Sequence, residues 1–230
     1  MMVPCIYKFK PNEWPNKSAT LIQKAIDDTL EFKGNCSVML TGGRTASRLY
    51  DAWTEIPGLH NSKNVSFYFG DERIVSPNSL ESNYNLVMRT LFVKGVPSGC
   101  SIFRAETDGL NPEILARLYG DMLPNDIDVL ILTAGEDGHI ASIFPDHNLT
   151  LDQETRKTVF VRSPNLKMHR ISITPHIILN ARKIFLLATG FEKSKPLKKA
   201  LYSSLNIRSL PIQLTLSGTW LLDEAAASQI

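Results

Sequence analysis

Hydrophobic positions along this chain alternate between two regimes. Short apolar runs, "SVMLT" (37–41), "VSFYF" (65–69), "DVLILT" (128–133), "RISIT" (170–174) and "IFLLAT" (184–189), read as strands. Between them the apolar residues take helical spacing: over 18–32, Leu21, Ile22, Ala25, Ile26, Thr29 and Leu30 recur at three and four residues, with Ser18 placed as a cap. Segments 45–56, 82–92, 112–123 and 192–205 read similarly, and Pro196 confines the last helix to a start near itself. The final "GTWLLDEAAASQ", with its Gly-Thr start and alanine-rich continuation, predicts a terminal helix.

Strands alternating with helices predict an α/β fold: one Rossmann-like domain over 1–230, with a mainly parallel sheet flanked by helices on both faces. "DVLILT" and "IFLLAT" are nearly continuous apolar runs, as strands buried on both sides require. Only 145–169, with scattered proline, asparagine and charge, is irregular enough to be an excursion from that plan, and whether it forms a lid is not legible.

Composition narrows the function classes. A formal net charge of +2 gives no reason to expect nucleic acid or a membrane surface as partner. Cys5, Cys36 and Cys100 are odd in number and far apart, which fits reduced, buried thiols of a cytoplasmic protein better than a disulfide framework or metal site. The N-terminal stretch has prolines and lysines but no apolar core, unlike a signal peptide. No HExxH or Cys/His cluster argues for a metal, and no GxSxG for a serine nucleophile.

The chemistry gathers where predicted strands end, the place where open α/β sheets bind ligands. In "LTGGRTASRLY" (40–50), Gly42 and Gly43 lead from a strand into a helix, with Arg44 and Thr45 at its start. Glycine lets backbone approach an anion, and helix N-termini offer free N–H groups, although a plain tight turn satisfies the same pattern. Asp71, Glu72 and Arg73 directly follow "VSFYF", either as site residues or as a solvated charge cluster. In "ILTAGEDGHIASIFPDH" (131–147), Gly135 and Gly138 are expected at positive φ. They would bring Asp137 and His139 to one side of the loop, as orienter and base for attack of water on a carbonyl. A turn histidine with Asp137 capping a helix over "IASIF" is the plainer alternative. Arg170 stands at the head of "RISIT" and Lys193 follows the end of "IFLLAT", whereas His60, His147, His169 and His176 lack glycine-rich surroundings and are read as surface or structural residues.

The order of these motifs (a glycine-pair turn, DERxV with SNY, GEDGHxASxFP, RxSxT, GxxK) resembles the 6-phosphogluconolactonase family, which shares its fold with glucosamine-6-phosphate deaminases. The likeness runs from about Val38 to Ala226. Deaminases follow the histidine turn with a catalytic glutamate where this chain has Phe144, and carry tyrosine where it has Arg73, so the lactonase branch fits better. The resemblance implies hydrolysis of 6-phosphoglucono-1,5-lactone without metal or cofactor, by a monomer or weak homodimer. It places the base on His139 beside Asp137, phosphate contacts on Gly42, Gly43, Arg170 and Lys193, and Arg73 in the pocket, with Arg44, Thr45 and Asp71 counted among the substrate residues. Thr41, Arg44, Ala46 and Asn78 depart from the family's common residues. A deaminase and a sugar-phosphate sensor without turnover remain the rival readings.

Overall fold

The computed structural model describes residues 3–107, 109, 111–146, 156–162 and 168–230. Among these, seven strands form one sheet in which every neighbouring pair is parallel. Their order is β1 (Cys5–Phe9), β10 (Thr219–Asp223), β9 (Lys183–Ala188), β6 (Val129–Thr133), β2 (Cys36–Leu40), β3 (Lys63–Phe69) and β5 (Gly99–Ile102). A second, antiparallel sheet has the order β4 (Asp71–Arg73), β8 (Arg170–Ile173), β7 (Thr158–Val161).

Because successive side chains of a strand point to opposite faces, the central strands supply two cores at once. Val129 and Ile131 of β6 face one core with Phe185 and Leu187 of β9. Leu130 and Leu132 face the other with Ile184 and Leu186. The first core is closed by α1 (Trp14–Lys33), α2 (Arg44–Trp53), α3 (Pro57–Asn61) and α4 (Asn83–Arg89), which contribute Trp14, Ile22, Leu49, Trp53, Leu59 and Val87. The second is closed by α5 (Pro112–Met122), α6 (Pro175–Leu179), α7 (Ser194–Tyr202) and the antiparallel sheet, through Leu115, Tyr119, Ile177, Leu197, Ile171 and Ile173. The expected mainly parallel sheet with helices on both faces is therefore present.

Four differences from the sequence reading have physical causes. "RISIT" is a strand, but of the antiparallel sheet: β8 pairs with β4 and β7. The terminal "GTWLLDEAAASQ" is not a helix. Thr219–Asp223 instead enters the sheet between β1 and β9, with Trp220 and Leu222 buried in one core and Leu221 in the other, so tertiary pairing overrides helix propensity. α1 starts at Trp14, earlier than Ser18, because Pro15 suits a first helical turn. Cys36 is buried as expected, but Cys5 is exposed on β1. Pro196 does lie in the first turn of α7, where its missing N–H costs nothing. No helix among the described residues is long and apolar enough to cross a membrane.

Two buried tyrosines hold the upper ends of neighbouring strands. The Tyr50 hydroxyl donates to Thr41 O (2.7 Å) and accepts from Thr41 N (3.0 Å). The Tyr119 hydroxyl donates to Phe69 O (2.9 Å) and accepts from Phe69 N (2.7 Å). Each satisfies a donor and an acceptor that a strand end would otherwise bury unpaired. Tyr119→Phe strands both groups of Phe69, and an unsatisfied buried polar group costs about 1–3 kcal/mol. Urea unfolding of this variant should show a stability loss of about 2 kcal/mol or more at unchanged m-value. A loss within about 0.5 kcal/mol would contradict this role for the hydroxyl.

Candidate active site

Three adjacent parallel strands, β2, β6 and β9, lead into a threonine with glycine one or two residues on: Thr41-Gly42-Gly43, Thr133-Ala134-Gly135 and Thr189-Gly190. Their hydroxyls tie the ends together. Thr41 Oγ1 lies 3.3 Å from Thr133 Oγ1, which donates to Gly42 O (3.4 Å), and Thr45 Oγ1 lies 3.0 Å from Thr189 Oγ1. Above these ends lies a cleft of about 710 Å³. It is lined by Gly42, Gly43, Arg44, Thr45 and Arg48, by Thr133 to Asp137 and His139, by Thr189, Gly190, Glu192 and Lys193, and by Asp223 from the end of β10.

The histidine turn is built by close approach. A Cβ on Gly135 would overlap the His139 ring, so only glycine lets the imidazole lie on the backbone there. Gly135 is not at positive φ, contrary to expectation; Gly138 is, at 89°. Gly135 N donates to His139 O (2.8 Å) and Gly138 N to Gly135 O (3.2 Å), which commits both amides within the turn and away from a bound oxyanion. Asp137 Oδ1 accepts from His139 N (3.0 Å) and lies 2.6 Å from His139 Nδ1. Partial burial works to raise the Asp137 pKa, but the hydrogen bonds from the His139 ring and backbone outweigh it and bring the value down to about 2. An ionised carboxylate is acceptor-only, so Nδ1 carries a proton, and in the neutral imidazole the lone pair is then on Nε2. After His139 the chain does not enter a helix: Ile140 and Ile143 form an isolated bridge around Ala141 at φ 48°. Phe144 folds back so that its ring lies 4.7 Å from that of His139.

The glycine-pair turn opens α2 with Gly43 as N-cap and no side-chain cap, which leaves the first-turn amides and the positive end of the helix dipole at the cleft. Across from it, Lys193 precedes α7, its side chain only 14% exposed and its Nζ 3.6 Å from Glu136 Oε1. Asp223, buried at the end of β10, accepts from Gly190 N through both oxygens (3.1 Å each) and from Ala226 N (2.8 Å), and so shapes the third turn.

Asp71, Arg73 and Arg170, expected among the substrate residues, are not among the residues that line this cleft. The cause is topological: Arg170 opens a strand of the antiparallel sheet, directly across from Arg73. The Arg170 guanidinium lies 3.5 Å from Asp71 Oδ2 and 5.7 Å from the centre of the Phe144 ring. Asp71 Oδ2 also accepts from Ser142 Oγ (2.6 Å). Asn83 donates to Asp71 O (2.8 Å) and packs on Gly42, where any Cβ would overlap it. Glu72 serves the fold, not the cleft. Its carboxylate accepts from the N–H groups of Arg73, Asn83 and Tyr84 and from Ser82 Oγ, which holds β4 to the start of α4. Burial raises its pKa, and those hydrogen bonds oppose the rise.

The other described histidines, His60, His169 and His176, stand outside the cleft lining. His60 is 2.6 Å from Thr54 O, His169 sits edge-on to Phe160, and His176 neighbours Asn180. His147 and most of the predicted excursion lie outside the described residues. No group of three metal-ligating side chains is present among the described residues. Sequence reading missed Arg48, Thr133, Thr189, Glu192 and Asp223 as lining residues; the repeated Thr-Gly at strand ends was the available signal for two of them.

The family profile described as glucosamine-6-phosphate isomerases/6-phosphogluconolactonase matches residues 10–221. A 6-phosphogluconolactonase of Treponema pallidum is 30% identical over 184 residues, 76% of each chain. One of Streptomyces coelicolor is 31% identical over an alignment of 235 residues, covering 93% of this chain and 88% of the relative. The solved structure of the Trypanosoma brucei 6-phosphogluconolactonase superposes with a TM-score of 0.86 at 25% identity, covering all of both chains. A match over nearly the whole sequence places this chain in the glucosamine-6-phosphate isomerase/6-phosphogluconolactonase family.

Proposed function

We propose that this protein hydrolyses 6-phospho-D-glucono-1,5-lactone to 6-phospho-D-gluconate, with His139 as general base. The observation that carries the reading is the 2.6 Å contact between His139 Nδ1 and a carboxylate held ionised, on a turn that lines the cleft. Nε2 draws a proton from water as the oxygen attacks the C1 carbonyl, and Asp137 stabilises the imidazolium that forms. The same imidazolium then returns the proton to the departing ring oxygen, so the ester opens to a carboxylate and a hydroxyl. Acid–base help of this kind is worth ~10²–10⁴-fold. The substrate phosphate is assigned to the opposite wall: the Gly42–Gly43 turn, the first-turn amides of α2, Arg44 and Thr45, with Lys193 as the enclosed cation. Arg170 and Asp71 take a supporting role, since they brace Phe144 and Ser142 beside the base.

Phe144 also weighs against the deaminase reading. It packs as an apolar wall against His139, at the position where that branch of the family carries a proton-shuttling glutamate, and a phenyl ring moves no proton. Ammonia release from glucosamine 6-phosphate by the purified protein would reverse the choice. A sensor without turnover has no use for a base–orienter pair.

In a coupled assay with freshly prepared lactone, His139→Asn should lower kcat by ~10²–10⁴-fold with KM little changed. Lys193→Ala should raise KM with a smaller effect on kcat. Parent-like kinetics in both variants would refute the assignment.

The Asp137 carboxyl gives an independent check. Its folded pKa is lowered, so its contact with His139 is fully present above the ordinary value of 3.8 and is lost only as pH falls through about 2. Carbon-detected NMR titration should place the Asp137 midpoint near 2, and His139→Asn should move it up towards 3.8. A parent midpoint already near 3.8 would contradict a stabilising contact between Asp137 and His139.

A further inference from the structure

Lys193 is the most enclosed cation lining the cleft, and it already has a counter-charge. Its Nζ lies 3.6 Å from Glu136 Oε1, and the two side chains differ sharply in exposure, 14% against 63%. Glu136 sits between Gly135 and Asp137 on the hinge that carries the base, so this ion pair joins the turn after β6 to the turn after β9 across the cleft. The proposed acid–base chemistry asks nothing of residue 136, because Asp137 and His139 complete it. The unequal burial has a consequence for binding. A partly desolvated ammonium gains from a nearby negative charge, whereas a solvated carboxylate leaves at little cost. An anion arriving at Lys193 must displace Glu136 or tolerate its repulsion.

We infer that Glu136 is a displaceable counter-ion of Lys193 that sets how tightly the cleft holds the anionic group of its substrate and product. The inference rests on the assignment of Lys193 to the phosphate in the proposed function. Glu136 acts through Lys193 and is a positioning residue, not a catalytic one. It neutralises the lysine in the free protein and keeps the affinity for the anionic product low enough for release.

The test is isothermal titration of the full chain with inorganic phosphate and with 6-phosphogluconate, for the parent, Glu136→Gln, Lys193→Met and the double variant. Glu136→Gln should lower the Kd of both anions by roughly two- to fivefold, the range of a partly exposed ion pair. The gain should shrink as salt is raised and vanish in the Lys193→Met background. In the lactone assay, Glu136→Gln should lower KM without a rise in kcat. Weaker or unchanged binding in Glu136→Gln, or a gain that persists without Lys193, would overturn the inference. A fall in kcat at constant KM would overturn it too, by assigning Glu136 to the shape of the histidine turn. A parent that binds neither anion contradicts it directly. A parent that binds them but leaves the lactone intact refutes only the enzymatic reading.

Discussion

The lateral register of β2, β6 and β9 is the constraint on which the cleft depends. Backbone pairing sets Met39 beside Leu130 and Leu132 beside Leu186, and so brings the turns after all three strands to one end of the sheet. The threonine hydroxyls link those turns sideways, from Thr41 to Thr133 and from Thr45 to Thr189. Side chains alternate faces along a strand, so a slip of one residue in β6 would exchange the residues it gives to the two cores. His139 on the β6 turn and Lys193 after β9 thus take their spacing from the sheet. Parallel strands buried on both faces are well suited to this, because each strand is held by hydrophobic contacts above and below as well as by its ladder.

Outside the cleft lining, buried polar groups supply rigidity. Asp71, Asn83, Ser142 and Arg170 form one connected layer that touches Gly42 on one side and Phe144 on the other. A buried network of this kind is stiff where its partners are in place and costly where one is missing, as at Asn83 Oδ1 and Arg170 Nε, which have no hydrogen-bond partner among the described residues. It reaches the His139 ring through Phe144 and the glycine-pair turn through Asn83. Mechanical support for both walls of the cleft therefore has a common source, the short antiparallel sheet and the loop that enters α4. The charged triplet after β3 divides its labour accordingly. Glu72 caps backbone N–H groups, Asp71 anchors the layer, and Arg73 faces Arg170 across the strand pair.

The chain made much of this legible. Apolar runs located five strands, and the spacing within "GEDGH" placed carboxylate and imidazole within reach of each other, as the contact between Asp137 and His139 bears out. Illegible features were those decided by distant partners. Gly135 looked like a residue chosen for its φ, but it is needed because a ring from four residues on rests against it. Arg170 stands at the head of a strand in sequence, yet that strand runs in the second sheet, so its guanidinium faces Asp71 outside the cleft lining. The last strand has helix-forming neighbours in "DEAAASQ", and only its place between β1 and β9 makes it extended.

What the sequence determined by itself is local: the period of its apolar residues, the glycines at strand ends, the order of motifs that carries family membership, and the close pairing of Asp137 with His139. Each is set by contacts between residues a few positions apart or by composition within one element. Tertiary structure alone decided which strands share a sheet, which cations line the cleft, and which carboxylates neutralise them. Those outcomes depend on burial and on charges brought together across many tens of residues. Neither quantity exists in an extended chain, where every side chain is solvated and its eventual partner is far away.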